Sequence, residues 1–135
     1  MEADNPARFA AVIRLIDTDL VIDFLRGYPP GLEYIKRSIG ISIHPVTALE
    51  ILSGVKDKRG MQVTDAFVKS AHMVELNHAD VTDAMASVKR YRLRSGVGWA
   101  DALVAATAIR LDATVVSRNR KHFDAIAGLR LETPY

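Results

Sequence analysis

A chain of 135 residues, 49% hydrophobic and 25% charged with a formal net charge of +2, has the length of one domain and the balance of a globular rather than a disordered protein. The absence of cysteine excludes disulfides, thiolate catalysis and cysteine-based zinc sites, and suits a reducing cytoplasm. The mild positive excess tolerates a polyanionic partner without requiring one.

The opening MEADNPARFA lacks the basic-then-apolar plan of a signal peptide, and no apolar run approaches the roughly 18 residues of a membrane span. Residues 1–11 read as a flexible tail ahead of one domain over 12–135. Val12 to Ile16 is mostly apolar and β-branched, the pattern of a strand. Arg14 interrupts it, as an arginine near a strand end does when its stem carries the charge to water. Asp19 to Leu25 has helical spacing, and Gly27 stops it. Pro29-Pro30-Gly31 makes a turn before a helix from Leu32 to Ser38. Ile41 to Ile43 is a short strand, Thr47 to Leu52 a helix ended by Gly54, and Val63 to His72 another helix. Met73 to Leu76 is a strand and Ala79 to Leu93 a long helix. Gly96-Val97-Gly98 breaks the chain before an alanine-rich helix from Trp99 to Leu111. Thr114 to Val116 is a strand, Arg120 to Ile126 a short helix, and Leu129 to Leu131 a last strand. Strands alternating with helices predict an α/β domain with a largely parallel sheet, whose ligands gather at the carboxyl ends of the strands.

Oxygen-bearing side chains recur at those ends. Asp17-Thr18-Asp19 follows the first strand, Thr47 to Glu50 lies after the second, and Ser117-Arg118-Asn119 follows Val116. Asp101 sits in the first turn of the alanine-rich helix. Each has an ordinary structural explanation. Asp19 or Thr18 suits a helix N-cap, as does Asn119. Thr47-x-x-Glu50 has the form of a capping box, and Asp101 is favoured by the helix dipole. Spacing alone does not bring these residues together. Were Asp17, Glu50 and Asp101 to converge, two carboxylates about 4 Å apart would repel by roughly 4 kcal/mol. Such a group needs a proton or a cation, and oxygen donors without cysteine or histidine select Mg²⁺ or Mn²⁺.

Three stretches, LIDTDLVIDFLRG, ISIHPVTALEILSGV and GVGWADALVAATAIRLDATVVSRNRKHF, resemble the PIN domain, and more narrowly the VapC-type toxin ribonucleases of toxin–antitoxin pairs. The resemblance covers most of Leu15 to Phe123. It implies a three-layer α/β/α sandwich with an acidic pocket that binds Mg²⁺ or Mn²⁺ and cuts RNA. By position Asp17, Glu50 and Asp101 match the family's first three acids. Asn119 falls where a fourth acid often lies, and Ser117 matches a hydroxyl residue two before it. The neutral Asn119 would hold a second metal less firmly. His122 replaces a common acid and reads as a surface histidine, and Asp19 stands where asparagine is frequent.

The implied chemistry is attack of water on phosphorus, leaving 5′-phosphate and 3′-hydroxyl ends. Arg118, Arg120 and Lys121 are candidates to grip the RNA backbone, or else form a solvated basic turn. Arg90, Arg92 and Arg94, spaced by two, do not share one helix face. Tyr91 and Trp99 read as packing residues, and His44, His72 and His78 as structural or exposed. Around Leu20, Phe24, Leu25 and Tyr34 lies a candidate partner strip, which a core-facing stripe would equally explain. The family further implies a VapB-like antitoxin partner, homodimers and a cytoplasmic location. Two rivals remain: a PIN-like binding module with a degraded pocket, argued from Asn119, and a haloacid-dehalogenase-like phosphatase, argued from DTDLV. The second wants a later acidic pair, where this chain has Ser117-Arg118-Asn119.

Overall fold

The computed structural model describes residues 13–135; the tail over 1–11 and Val12 at the start of the first expected strand lie outside the described residues. In chain order the elements are β1 (Arg14–Ile16), α1 (Thr18–Leu25), α2 (Pro29–Arg37), β2 (Ser42–Ile43), α3 (Pro45–Ser53) and α4 (Lys58–Ser70). They continue with β3 (His72–Met73), α5 (His78–Ser95), α6 (Trp99–Arg110), β4 (Thr114–Val116), α7 (Arg120–Phe123) and β5 (Arg130–Glu132). Each expected element forms, with shifted ends. Helices α2 and α3 start earlier than their apolar spacing indicates because Pro29 and Pro45 supply a helical φ and a first position that needs no N–H donor. Helix α4 starts at Lys58 because the Asp57 carboxylate accepts the Gly60 N–H at 2.7 Å.

The strands form one parallel sheet in the order β3-β2-β1-β4-β5. Strand alternation divides the core. Leu15 and Val115 face one apolar cluster with Ala102, Ala105, Ala108 and Phe123. Ile16 and Val116 face the other, with Leu20, Val21, Ile35, Ile51 and Phe67. Helices on both faces complete the α/β/α sandwich and explain why the strands read as continuous apolar runs. Arg14 is half exposed and reaches Glu132 at 3.1 Å, so its charge stays out of the core.

From β1 the chain builds outward through β2 and β3, then returns to lay β4 and β5 on the other side. The switch point lies between β1 and β4, where Leu15 pairs with Val115 and Ile16 with Val116. The residues leaving that point are Asp17 and Ser117, which sit where an open α/β sheet offers its crevice.

Candidate active site

Asp17 is anchored by the sheet itself: its N–H donates to the Val116 carbonyl at 2.9 Å. It holds the N-cap position of α1, yet its side chain makes no capping bond. The carboxylate instead accepts the Ser117 hydroxyl at 2.7 Å. Ser117 is fully buried and its oxygen also accepts the Asn119 N–H at 2.9 Å, so one hydroxyl ties the ends of β1 and β4 together.

Glu50 comes in from α3. The capping-box expectation fails here, because the N-cap is His44, whose Nδ1 accepts the Val46 N–H at 3.0 Å. Thr47 lies inside the helix, and Glu50 accepts the Thr18 hydroxyl from α1 at 2.9 Å. The Thr47 hydroxyl, one turn before Glu50, is buried without a hydrogen-bond partner among the described residues.

Asp101 projects from the first turn of α6. Its Oδ2 lies 3.0 Å from Nδ1 of His122, and the Asn119 amide nitrogen is 2.9 Å from the same ring nitrogen. His122 lies at the surface as expected, and its ring is in addition engaged with a candidate site acid. Asn119 occupies the N-cap position of α7 without a side-chain cap, so capping does not explain it either. The signal in the sequence was the three-residue separation of Asn119 and His122, which places both on one side of a single helical turn.

These acids share one electrostatic environment. Burial pushes the Asp17 carboxyl above its ordinary value against the Ser117 hydrogen bond, and Asp101 and Glu50 push it the same way. Burial also raises Asp101, opposed by His122 and reinforced by Glu50 and Asp19. Asp19 is raised by burial and by Asp17, while its two oxygens accept the Leu20 and Arg118 N–H groups at 2.8 and 3.0 Å. Carboxylates from three separated stretches thus crowd one place at the strand ends. Each is held by a protein partner, and among the described residues no three Asp, Glu or His groups already stand as a ready metal shell. The donor chemistry nonetheless fits a hard divalent ion: acidic oxygens that repel one another, flanked by hydroxyls.

The basic knot is less uniform than its sequence. The Arg118 guanidinium pairs with buried Asp23 and lies over the Tyr135 ring, and Asp23 also binds Arg26 and the Tyr135 hydroxyl. Arg120 reaches Asp124 at 3.2 Å. Lys121 makes no ion pair with any described residue, so its charge is the most available of the three. On α5, Arg92 caps the helix end through the Gly96 carbonyl and Arg90 lies over Tyr91, so the arginine triplet presents no stripe.

Other expectations change as well. Leu20 and Tyr34 are core residues, not a partner strip. Trp99, expected to pack, is 68% exposed beside Val81, Met85, Val88 and Leu103. His72 and His78 are exposed, whereas His44 is fully buried: its Nε2 lies 2.9 Å from the Thr107 hydroxyl, which donates to Asp80 at 2.9 Å. Arg110 grips Asp80 through two nitrogens, at 2.7 and 3.0 Å.

Among the described residues no helix is long and apolar enough to cross a membrane. The ribonuclease VapC19 of Mycobacterium tuberculosis is 31% identical over 130 residues, covering 91% of this chain and 100% of that protein. A toxin–antitoxin complex from Klebsiella pneumoniae contains a chain with a TM-score of 0.76 and 24% identity, matched over 90% of this chain and 98% of that one. The DNA-bound VapBC of Salmonella typhimurium gives a TM-score of 0.75 at 21% identity, over 90% of this chain and 97% of that chain. These structural likenesses show a shared fold. With the PIN domain family matching residues 14–129 and a relative of this identity matched along its whole length, the chain belongs to the PIN-domain family.

Proposed function

We propose that this chain is a VapC-type toxin endoribonuclease that hydrolyses RNA phosphodiester bonds with Mg²⁺ or Mn²⁺ and is inhibited by an antitoxin protein. The observation that carries the reading is the crowding of Asp17 and Asp101 at the switch point of the sheet, where burial raises both carboxyls and Glu50 pushes each the same way. A folded chain keeps such a cluster at a cost in stability, which a bound cation reverses.

Asp17, Glu50 and Asp101 would hold the ion. When bound, a divalent ion supplies charge neutralisation and acidifies water for attack on phosphate. Ser117 fixes the Asp17 carboxylate by its hydroxyl, and Thr18 does the same for Glu50. An acid in this cluster whose oxygens are not all engaged accepts the proton of the attacking water. The displaced group is the 3′ oxygen, leaving 5′-phosphate and 3′-hydroxyl ends. Lys121, beside Asn119, contacts the RNA backbone, with Arg118 and Arg120 available once they exchange their carboxylate partners for phosphate.

An open groove lined by Ile22, Leu25, Ile51, Val55 and Val63, with Arg26, Lys56 and Arg59 on its rim, runs to Glu50. It suits an apolar antitoxin segment whose end reaches the acidic cluster. The named relatives support both halves of the reading, one being a ribonuclease and others parts of toxin–antitoxin complexes. Incubation of the antitoxin-free chain with RNA tests it. Cleavage should stop with EDTA and return with Mg²⁺ or Mn²⁺. Asn119, neutral where an acid is common, favours one alternative, a binding module; RNA that binds but stays intact with metal present would establish it.

A further inference from the structure

We propose that Tyr135 and Arg26 are positioning residues for RNA binding: they keep the buried Asp23 carboxylate satisfied, so that Arg118 can leave it for a substrate phosphate. The inference rests on the nuclease reading above and deepens it, by assigning to Asp23, Arg26 and Tyr135 the control over how readily RNA captures Arg118.

The partners of Asp23 carry it. Its side chain is 5% exposed and both oxygens are engaged. Oδ1 accepts Arg26 Nη2 at 2.9 Å, while Oδ2 accepts both Arg118 Nη1 and the Tyr135 hydroxyl, the latter at 3.0 Å. When Arg118 departs, each oxygen therefore keeps a donor and Arg26 keeps the charge paired. A buried carboxylate stripped of its only cation has no such relief. Burial and the bond to Asp23 push the Tyr135 hydroxyl up to about 12, so it remains a donor at neutral pH. Arg118 is the accessible member of the group: its side chain is 39% exposed and meets Asp23 through one nitrogen. Arg110 on Asp80 shows the opposite construction, with two nitrogens on the carboxylate and a further bond to the Glu75 carbonyl. The main chain of Arg118 is meanwhile fixed. Its N–H donates to Asp19 Oδ2 at 3.0 Å, and the preceding Ser117 is bonded to Asp17. The guanidinium thus pivots from a point beside the acidic cluster, and its forked donors suit phosphate as well as carboxylate.

The test is binding of a short single-stranded RNA to the full chain in EDTA, read by fluorescence anisotropy over a salt series. Arg118→Gln should weaken binding and lower the salt slope by about 1, the mark of one lost phosphate contact. Tyr135→Phe keeps the ring beside the guanidinium but removes the hydroxyl that competes for Oδ2, so Asp23 holds Arg118 harder. RNA should then bind on the order of threefold more weakly, the worth of one hydrogen bond. With metal restored, KM for cleavage should rise by the same factor at unchanged kcat. Asp23→Asn releases the arginine and should tighten binding. Both effects should vanish in an Arg118→Gln background, which separates release of Arg118 from a general change of charge or fold. Weaker binding in Asp23→Asn, or a lower kcat at constant KM in Tyr135→Phe, makes the group a structural clasp on the turn and overturns the proposal. An affinity and salt slope indifferent to Arg118→Gln also overturn it, while metal-dependent cleavage by the same protein leaves the nuclease reading standing. Wild type that neither binds RNA nor cleaves it with Mn²⁺ overturns both.

Discussion

Two polar clusters lie within this small fold, and they are built on opposite principles. Around Asp80 every charge has its complement. Arg110 forks onto the carboxylate, Thr107 donates to it, and the Asn77 side chain and backbone complete a capping box with it. Burial pushes Asp80 up, but those bonds outweigh it and hold the carboxyl below its ordinary value. His44 extends the chain from the start of α3 to α6, neutral because burial lowers its pKa to about 4. At the strand ends, by contrast, Asp17 and Asp101 are pushed up, with further acids rather than arginines beside them. The satisfied network fixes α3 against α5 and α6; the unsatisfied one is carried on elements so fixed. A polar cluster that is electrostatically complete has done its work on folding, and one left incomplete is poised for a ligand.

Removing one charge from each cluster should therefore have opposite consequences. The largest effect is expected for Asp17→Asn, which should lower RNA cleavage on the order of 10²–10⁴-fold while leaving thermal unfolding unchanged or raised, since one like charge is gone. Unaltered cleavage would count against the proposed role of Asp17. Arg110→Met acts on the other side of the contrast. It leaves the fully buried Asp80 carboxylate without its cation and should cost about 3 kcal/mol or more in urea unfolding. A loss below about 1 kcal/mol would mean that water reaches Asp80 once the arginine is removed.

The clusters also respond to pH with opposite sign. His44 has a folded pKa of about 4, below the ordinary 6.5. Its contribution is complete above pH 6.5 and is lost as pH falls from 6.5 toward 4. A tenfold difference in proton affinity between folded and unfolded chain corresponds to about 1.4 kcal/mol, so lowering pH from 7 to 5 should cost roughly 2 kcal/mol through this residue. Asp17 and Asp101 work the other way. Their folded values lie above 3.8, so their contribution is most favourable below 3.8 and is lost as pH rises through the raised values. Protonating them returns some stability at the acid end. Urea unfolding of metal-free chain at pH 7 and 5, with His44→Gln alongside, reads the difference. Wild type should lose stability over this interval and the variant much less; parallel behaviour would clear His44 of the effect.

How far the two clusters could be read beforehand follows from their contacts. Element types were legible because apolar periodicity is local, and Asp17 stood out as a carboxylate directly after an apolar strand. Thr47-x-x-Glu50 misled because the same spacing serves a capping box and an ordinary helix turn; His44 and Pro45 start α3 instead. Arg118 looked free because its partner Asp23 lies 95 residues away. The His44–Thr107–Asp80 network spans separations of 63 and 27 residues, and no spacing rule links residues so far apart. His122 was undervalued because its engagement depends on α7 packing beside the start of α6, which only the fold supplies.

The smallest expected effects come from deleting a hydroxyl in each cluster. Thr107→Val keeps the shape of the side chain but strips both His44 Nε2 and Asp80 Oδ2 of a partner, and those groups are buried. Asp80 Oδ2 keeps its bonds from Arg110 and the Asn77 N–H, but His44 Nε2 is left unsatisfied and carries its full desolvation penalty, so the variant should lose about 1–3 kcal/mol. Thr18→Val removes only the bond to Glu50, whose carboxylate is exposed and can turn to water. That change should cost less than about 1 kcal/mol. Its mark should appear instead in metal affinity, because Glu50 is then no longer aimed. Equal losses of stability in the two variants would show that the acidic cluster is structural, and would remove the distinction between a completed network and a waiting one.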